Sequence, residues 1–124
     1  MKKSKIKKIE SGIGRIYIQS TFNNTIITLS DTSGSCLAWN SAGKMGFKGA
    51  RKSTPYVASL VSQVIADKCR EYGLRSVQIF VSGIGTGRDS AVRALQSADL
   101  DVISIADTTP IPHNGCRAKK PRRV

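Results

Sequence analysis

Two side chains near the C-terminus, His113 and Cys116 in the stretch PIPHNGCRAKKPRRV, are of types that bind metal ions or form nucleophilic pairs. Nothing in the sequence completes such a site, because His113 is the only histidine and the other two cysteines lie far away along the chain. Zinc usually takes four ligands, and a cysteine nucleophile needs a base and a third group that orients it. We therefore expect no catalytic residue, metal or cofactor here, and we interpret His113 as a hydrogen-bonding partner of a phosphate or a base.

Carboxylates are the other residues from which an enzyme could be built, since a two-metal nuclease needs several of them at one sheet edge. Five aspartates lie at predicted strand ends and helix starts: Asp31, Asp89, Asp99, Asp101 and Asp107. The first predicted strand, residues 16–21, has no acid, and the sequence does not show that Asp31 and Asp107 converge. We predict that the protein is not an enzyme. A nuclease or a nucleotide-dependent enzyme stays as a rival interpretation.

The turn GIGTGR, residues 83–88, follows a predicted strand and opens a predicted helix, where free backbone N–H groups suit an anion. It departs from the dinucleotide fingerprint, because Arg88 stands where the third glycine belongs. It also lacks the Lys-Ser/Thr pair of a P-loop. Three interpretations stay open at this point: a tight turn whose glycines serve the backbone, an RNA phosphate bound with help from Arg88, and a free nucleotide.

The stretch SAGKMGFKGARKS, residues 41–53, is the main basic patch inside the chain. Its four bases are Lys44, Lys48, Arg51 and Lys52. The glycines allow the backbone to approach a phosphate chain closely, and Phe47 is able to stack on an exposed base. The alternative is a flexible surface loop with Phe47 packed into the core.

The charge of the chain favours a polyanionic partner. The net charge is +12 and the pI is about 10.1. Residues 1–10 hold five lysines and one glutamate, and residues 111–124 hold five bases and no acid. Such a field attracts nucleic acid or an anionic membrane surface. The membrane surface is the weakest alternative, because the basic ends lack the apolar face of an interfacial helix.

Length and composition favour one folded domain, since 124 residues with 40% hydrophobic side chains suffice for one modest core. The first ten residues lack the apolar core of a signal peptide, and no apolar run approaches the ~20 residues of a membrane span. Three widely spaced cysteines, Cys36, Cys69 and Cys116, fit a reducing compartment with free thiols.

The candidate residues need a scaffold, and the hydrophobic pattern predicts alternating strands and helices. The stretch GRIYIQSTFNNTIITLSD is typical of a hairpin in which Asn23-Asn24 supplies left-handed turn conformations. SCLAWN predicts a third strand, so that the first three form an antiparallel meander. SVQIFVSG and DVISIAD predict two more strands joined through a helix, which implies a parallel pair.

Two helices are predicted between these strands. The first has Thr54 as its N-cap, Pro55 at its first position and Gly73 as its stop, and the second spans residues 89–98. The apolar face predicted for the first helix consists of Val57, Leu60, Val61, Val64, Ile65 and Tyr72. The predicted fold is a single α/β domain with a five-stranded mixed sheet, an antiparallel meander plus a parallel crossover unit, flanked by two helices and carrying basic arms at both ends.

Four motifs, STFNNTI, SAGKMGFKGARKSTP, SGIGTGRDSAVRAL and TPIPHNGCR, in this order resemble the bacterial-type family of small-subunit ribosomal protein eleven, over residues 15–124. The resemblance implies a ribonuclease-H-like sheet without nuclease activity. It also implies a structural place on the platform of the small ribosomal subunit, where the protein binds the small-subunit rRNA. Nearness to the messenger RNA exit region and contacts with neighbouring platform proteins are implied as well.

The same resemblance implies which residues bind rRNA. They lie in the hairpin turn, the basic loop, the glycine turn and the C-terminal arm: Asn23, Asn24, Lys44, Lys48, Arg51, Lys52, Gly85, Gly87, Arg88, His113, Asn114, Arg117, Lys119, Lys120, Arg122 and Arg123. Two positions depart from the family pattern. Ser82 and Ile84 stand where the family has Lys and Pro, so a lysine contact with phosphate is missing at position 82. Ala118-Lys119 replaces Pro-Pro, so the arm leaves the body less stiffly.

The expected organisation is a basic N-terminal arm at 1–11, an rRNA-binding domain at 12–110 and a basic C-terminal arm at 111–124. The expected partners are small-subunit rRNA and neighbouring platform proteins, with messenger RNA nearby. We expect no membrane partner, no small-molecule substrate and no homo-oligomer. The expected location is the ribosome, in a bacterial cytoplasm, a plastid or a mitochondrion. The alternative is a free regulatory RNA-binding module outside the ribosome.

Overall fold

The computed structural model describes residues 12–47, 54–85, 87–98, 100–117 and 119. The N-terminal arm expected at 1–11 lies outside the described residues. The strands and helices are β1 (Ile13–Ser20), β2 (Thr25–Asp31), β3 (Cys36–Ser41), α1 (Pro55–Glu71), β4 (Ser76–Ser82), α2 (Arg88–Ser97) and β5 (Asp101–Asp107).

The strands of this described region form one mixed sheet in the order β3-β2-β1-β4-β5. β2 pairs antiparallel with β1 and with β3, so the predicted meander is confirmed. β4 pairs parallel with β1 and with β5, and within the described sheet β2 alone runs against the other strands. The predicted α/β domain with a five-stranded mixed sheet and two helices is confirmed.

One face of the sheet is buried because apolar residues alternate along each strand. Ile16 and Ile18 of β1 are fully buried, and Ile18 pairs with the equally buried Ile27 of β2. Tyr17 lies between the two β1 isoleucines on the opposite face, where its ring stacks on that of Phe80 of β4 at 5.2 Å between centroids. The core therefore lies on one side of the sheet, and an aromatic pair occupies the other.

The start of α1 follows its sequence signals. Thr54 is the N-cap, its side chain accepts a hydrogen bond from the backbone N–H of Val57 at 3.4 Å, and Pro55 opens the helix. A side-chain cap and a proline at the first position satisfy or remove backbone donors that the first turn leaves unpaired. The predicted boundary is confirmed.

The buried face of α1 is rotated relative to the prediction. Val57, Val61 and Ile65 are buried as predicted, but Val64 is 36% exposed and Leu60 is only half-buried. Small side chains, Ala58, Ser62, Ala66 and Cys69, are buried instead. The reason is that α1 packs against α2 as well as against the sheet, and two helices approach closely where their side chains are small.

Both helices cover the same face of the sheet. α2 begins and ends one residue earlier than the predicted span of 89–98. It buries Ala91 and Leu95 and packs on α1 and β1. Neither helix in the described part of the chain is long and apolar enough to cross a membrane.

Replacing Ile79 by alanine is expected to lower the free energy of unfolding by about 2–5 kcal/mol, because this β4 side chain is fully buried and its loss leaves a cavity. Urea unfolding measures the change. Ile103→Ala is the control, since this β5 side chain is 51% exposed, and we expect a loss below about 1 kcal/mol there. Similar losses in both variants would contradict the one-sided core.

Candidate nucleic-acid interface

The direction of the strands brings four chain segments to one end of the sheet. Because β1, β3, β4 and β5 run the same way, their carboxyl ends lie at a common edge. The segments that leave these ends are the described residues of 21–24, 42–47, 83–88 and 108–119, which we call the carboxyl edge. They are the hairpin turn, the basic loop, the glycine turn and the C-terminal stretch for which the sequence predicts RNA contacts.

The hairpin turn is closed by side chains. The hydroxyl of Thr21 accepts hydrogen bonds from the backbone N–H groups of Asn23 and Asn24, at 3.3 and 3.0 Å, and donates to the carbonyl of Asn24 at 3.1 Å. Oδ1 of Asn24 accepts from the backbone of Thr25 at 2.9 Å. Asn24 therefore holds the turn, while Asn23 is exposed beside it.

The prediction that Asn23 and Asn24 adopt left-handed conformations is wrong. Among the non-glycine residues that the structure describes, a positive φ occurs only at Asn114, where it is 55°. The hairpin has a four-residue connection rather than a two-residue one, and longer connections do not need two consecutive left-handed residues.

The glycines of the turn at 83–88 allow it to pack directly on the hairpin. Gly83 has a φ of +87°, and a Cβ there would collide with the backbone oxygen of Ser20. A Cβ at Gly85 would meet the hydroxyl of Ser20 and the carbonyl of Thr21. At Gly87 it would lie 2.6 Å from the hydroxyl of Thr25. Of the three interpretations, these contacts support glycines that serve the backbone.

This packing is tight enough to bury polar atoms. Ser20 and Thr25 are 1% and 0% exposed, and their hydroxyl groups find no hydrogen-bond partner among the described residues. A buried hydroxyl without a partner costs about 1–3 kcal/mol. The two turns are therefore in direct contact around these side chains.

Arg88 links the glycine turn to the C-terminal stretch. Its guanidinium donates hydrogen bonds to the carbonyl of Gly83 at 3.0 Å and to Oδ2 of Asp107. Oδ1 of Asp107 accepts from the backbone N–H and the hydroxyl of Thr109, at 3.0 and 2.6 Å. The backbone of Gly83 donates to the Thr109 hydroxyl at 3.2 Å, which closes the network. We call this network the Arg88–Asp107 latch.

The hydrogen bonds of the latch shift the pKa of Asp107. The hydrogen bond from Arg88, followed by those from Thr109, holds the pKa of the Asp107 carboxyl well below its usual range. Both latch side chains reach solvent, with 28% of Arg88 and 54% of Asp107 exposed. The guanidinium of Arg88 is therefore engaged within the protein, where it helps to fix the direction in which the C-terminal stretch leaves β5.

The basic loop contributes one described cation to the edge. Lys44 donates from Nζ to the carbonyl of Trp39 at 3.2 Å, and its ammonium group lies 4.4 Å from the centroid of the Trp39 ring. Phe47 is partly buried and packs against the core, which agrees with the second interpretation of this loop. Lys48, Arg51 and Lys52 lie outside the described residues.

The C-terminal stretch displays its polar side chains to solvent. His113, Asn114, Arg117 and Lys119 are all exposed. The remaining predicted contact residues of the arm, Lys120, Arg122 and Arg123, lie outside the described residues. The described part thus presents two cations and two further hydrogen-bonding side chains beyond the latch.

Both helices begin at the carboxyl edge, because α1 follows β3 and α2 follows β4. A helix N-terminus carries a partial positive charge from its aligned peptide dipoles. The two N-termini lie close together, since a Cβ at Gly87 would be 2.7 Å from that of Ala58 in the first turn of α1. Their fields add to that of the basic side chains at this edge.

The two carboxylates considered for a nuclease lie at opposite ends of the sheet. Asp31 ends β2, which runs against β5, and Asp107 ends β5. Asp31 serves the turn after β2: the hydroxyl of Ser33 and the backbone N–H of Ser35 donate to it and lower its pKa. Within the described residues, no group of three His, Cys, Asp or Glu side chains is placed to hold a metal ion.

Exposed aromatic side chains at this edge escaped prediction from the sequence. Phe22 in the hairpin turn is 73% exposed, Tyr56 in the first turn of α1 is 71% exposed, and Trp39 near the end of β3 is 50% exposed. A local signal existed for Phe22, since a large apolar residue inside a polar turn has no strand position from which to reach the core. Trp39 and Tyr56 sit in a strand and a helix, where an aromatic residue is ordinarily interpreted as core.

Comparisons with known proteins agree over almost the whole chain. A sequence model of the family described as ribosomal protein S11 matches residues 14–123, which include all four segments of the carboxyl edge. Curated relatives are the small ribosomal subunit proteins uS11 of Borreliella burgdorferi (strain ZS7), Borreliella afzelii (strain PKo) and Borrelia garinii subspecies bavariensis. Each is 56% identical to this chain over 122 residues, which make up 98% of this chain and 93% of the relative.

Gly85→Ala is expected to lower the free energy of unfolding by about 1–3 kcal/mol, because the added methyl group forces the glycine turn away from Ser20 and Thr21. Urea unfolding measures this loss. Gly115→Ala is the matched control, since nothing lies within 4 Å of a Cβ there, and its effect should stay within about 0.5 kcal/mol. Equal stability of the two variants would mean that the close approach is not needed.

Asp107→Asn is expected to loosen the latch while the fold persists, and the backbone N–H of Thr109 should then exchange faster with solvent. Acid should act in the same way on the native protein. Because the folded pKa of Asp107 lies below the unfolded value of about 3.9, the latch is complete above that pH and is lost as the pH falls through the folded value.

Hydrogen exchange followed by NMR at residue 109 tests both effects. Asp101→Asn is the control, because Asp101 is an exposed acid at the start of the same strand. Unchanged exchange at Thr109 in the Asp107 variant, or the same acceleration in the Asp101 variant, would contradict the latch.

Proposed function

The chain belongs to the ribosomal protein S11 family, and on that premise we propose that its carboxyl edge is the surface that binds small-subunit rRNA. The protein is a structural constituent of the small ribosomal subunit and is not an enzyme. Its partners are rRNA and other ribosomal proteins, and its location is the ribosome.

The observation that carries the proposal is the convergence of four separate motifs. Segments that are far apart in the sequence meet at one edge, where two helix N-termini and the basic side chains reinforce one another. Phosphate contacts position a protein on RNA, and each one releases condensed counterions. The opposite edge, where Asp31 and Asp101 lie, lacks this combination within the described residues.

The residues proposed to contact rRNA fall into two groups. The first group is exposed and carries charge or a neutral hydrogen-bonding group: Asn23, Lys44, His113, Asn114, Arg117 and Lys119, to which we add Lys48, Arg51, Lys52, Lys120, Arg122 and Arg123 beyond the described residues. The cations neutralise phosphates. His113 and the asparagines hydrogen-bond to phosphates or base edges.

The second group shapes the surface. Gly85 and Gly87 bring the glycine turn against the hairpin, Asn24 closes the hairpin, and Arg88 aims the C-terminal stretch. We propose that these residues meet rRNA through the backbone or through the part of the side chain that the internal contacts leave free. Their main contribution is a fixed surface to which the RNA backbone conforms.

We also propose how the chain is divided and where it lies in the small subunit. Basic arms at 1–11 and 111–124 flank an rRNA-binding domain at 12–110, and the arms fold onto RNA when it is present. The protein is proposed to sit on the platform of the subunit next to neighbouring platform proteins and near the messenger RNA exit region, as a single copy rather than a homo-oligomer. The ribosome belongs to a bacterial cytoplasm or to an organelle.

Removing the C-terminal arm is expected to weaken binding to small-subunit rRNA and to flatten its salt dependence. A version that ends at Pro112 lacks five bases. Each lost phosphate contact reduces the slope of log affinity against log salt by about 0.7–0.9. Filter binding across a salt series measures this, with an unrelated structured RNA of equal mass as the competing ligand.

Two full-length double variants sharpen the comparison. Arg117→Gln with Lys119→Gln removes two charges from the carboxyl edge. Lys68→Gln with Arg75→Gln removes two charges from the opposite edge, near the end of α1 and the start of β4, where Lys68 is half-buried and pairs with Glu71 at 3.4 Å. We expect only the first pair to flatten the slope. Equal slopes, or equal affinity of the native protein for both RNAs, would contradict the assignment of rRNA binding to the carboxyl edge.

A further inference from the structure

We propose that Phe22 stacks on an unpaired base of the bound RNA, and that the side-chain amide of Asn23 hydrogen-bonds to the edge of the same or the adjacent base. This inference rests on the proposed function and adds the class of ligand group that the hairpin turn recognises. It assigns a role to Phe22, an aromatic side chain that was not among the residues predicted to bind rRNA.

Exposure of Phe22 is the first observation. Its side chain is 73% exposed although its nearest strand neighbours, Ser20 and Thr25, are buried. A single exposed apolar residue is ordinary on a protein surface, so exposure alone decides nothing. The position of Phe22 is more informative, because the hairpin turn lies at the carboxyl edge, next to cations and two helix N-termini.

Rigidity of the turn is the second observation. Its backbone is fixed by the Thr21 hydroxyl, by the side chain of Asn24 and by a hydrogen bond from the backbone of Thr21 to that of Asn24 at 2.9 Å. A phenyl ring adds only two side-chain torsions to this fixed backbone. Holding Phe22 against a base therefore requires little further loss of conformational entropy, which is the condition for an aromatic anchor.

The neighbour of Phe22 supplies hydrogen bonding. Asn23 is exposed, and its side-chain amide offers two donors and an acceptor that engage no other group in the described residues. A flat ring next to a free amide matches a base, which has a π-face and a polar edge. A phosphate would use the amide but would gain nothing from the ring.

The other aromatic side chains of the region are less suited to this role. Phe47 packs against the core, and the ammonium group of Lys44 lies over the ring of Trp39. Tyr56 is as exposed as Phe22, but Thr54, Pro55 and Val57 around it in the sequence offer no side-chain amide. Phe22 thus combines an uncovered ring, a fixed backbone and an adjacent amide.

The ligand group follows from this combination. Bases inside an RNA duplex have their faces covered by stacking, so a ring at a hairpin tip reaches a base only in a loop, a bulge or a strand end. We infer that the RNA segment facing residues 21–24 is single-stranded, whereas the basic arm meets the sugar–phosphate backbone.

The test compares full-length variants at position 22 for binding to small-subunit rRNA across a salt series. Phe22→Leu keeps apolar area but removes the ring, and we expect about a 5- to 150-fold loss of affinity with an unchanged salt slope. Phe22→Tyr keeps the ring and should lose less than about 3-fold. Ile103→Ala is the control for an exposed apolar side chain outside the carboxyl edge, since 51% of this β5 residue is exposed, and it should change affinity less than about 2-fold.

Ultraviolet crosslinking with mapping of the attached nucleotide gives a second readout, and the native chain should attach through Phe22 to a base outside any duplex. Affinity of Phe22→Leu equal to that of Ile103→Ala, or a crosslink from Phe22 only to paired nucleotides, would overturn the inference. The proposed function fails separately, when the native protein shows no preference for small-subunit rRNA.

Discussion

Parallel pairing of β4 with β1 and β5 is the constraint on which the rest of the structure depends. Neighbouring parallel strands cannot be joined by a tight turn, so the chain must cross back along the face of the sheet before each new parallel strand begins. Here the two helices make those crossings, which forces both to begin at the carboxyl edge and to end at the other. The loops that precede the helices, the positive ends of their dipoles and the exit of β5 are thereby placed together, although more than eighty residues separate Thr21 from Thr108 along the chain.

The residues of the carboxyl edge are of two kinds: some bond to other groups of the protein, and others are exposed to solvent. The glycine turn, the hairpin and the latch use their polar groups on one another: Arg88 on Asp107 and Gly83, and Asn24 on the backbone of Thr25. A donor engaged in this way is not free to neutralise a phosphate unless its internal partner is released. The exposed cations of the C-terminal stretch, Arg117 and Lys119, make no such internal contact among the described residues. One set of residues fixes the shape of the edge, and the other set supplies its charge.

Local signals in the sequence predicted the parts of this fold that local physics determines. Thr54 and Pro55 fixed the start of α1, because a side-chain cap and a proline act within one turn of chain, and strand alternation around Ile16 and Ile18 identified the first strand. Features that depend on distant neighbours escaped prediction. The buried face of α1 includes Ala58 because α2 packs against it there. The hairpin turn does not use the left-handed conformations predicted for the two asparagines, because hydrogen bonds from side chains close it instead. Arg88 and Asp107 are nineteen residues apart in the sequence, and no local pattern predicts that they pair.

Charge alone does not account for recognition of one RNA among many. Counterion release favours every phosphate chain of similar charge density, so any affinity that a basic arm adds is weakened by salt and hardly changed by the RNA sequence. Discrimination requires groups held at fixed separations, since an RNA whose loops do not match them loses contacts without a compensating gain. Under the proposed function, those separations are set where Gly83 and Gly85 pack against Ser20 and Thr21. Ser20 and Thr25 are buried at that point, and a protein that bound by charge alone would not need such close packing there.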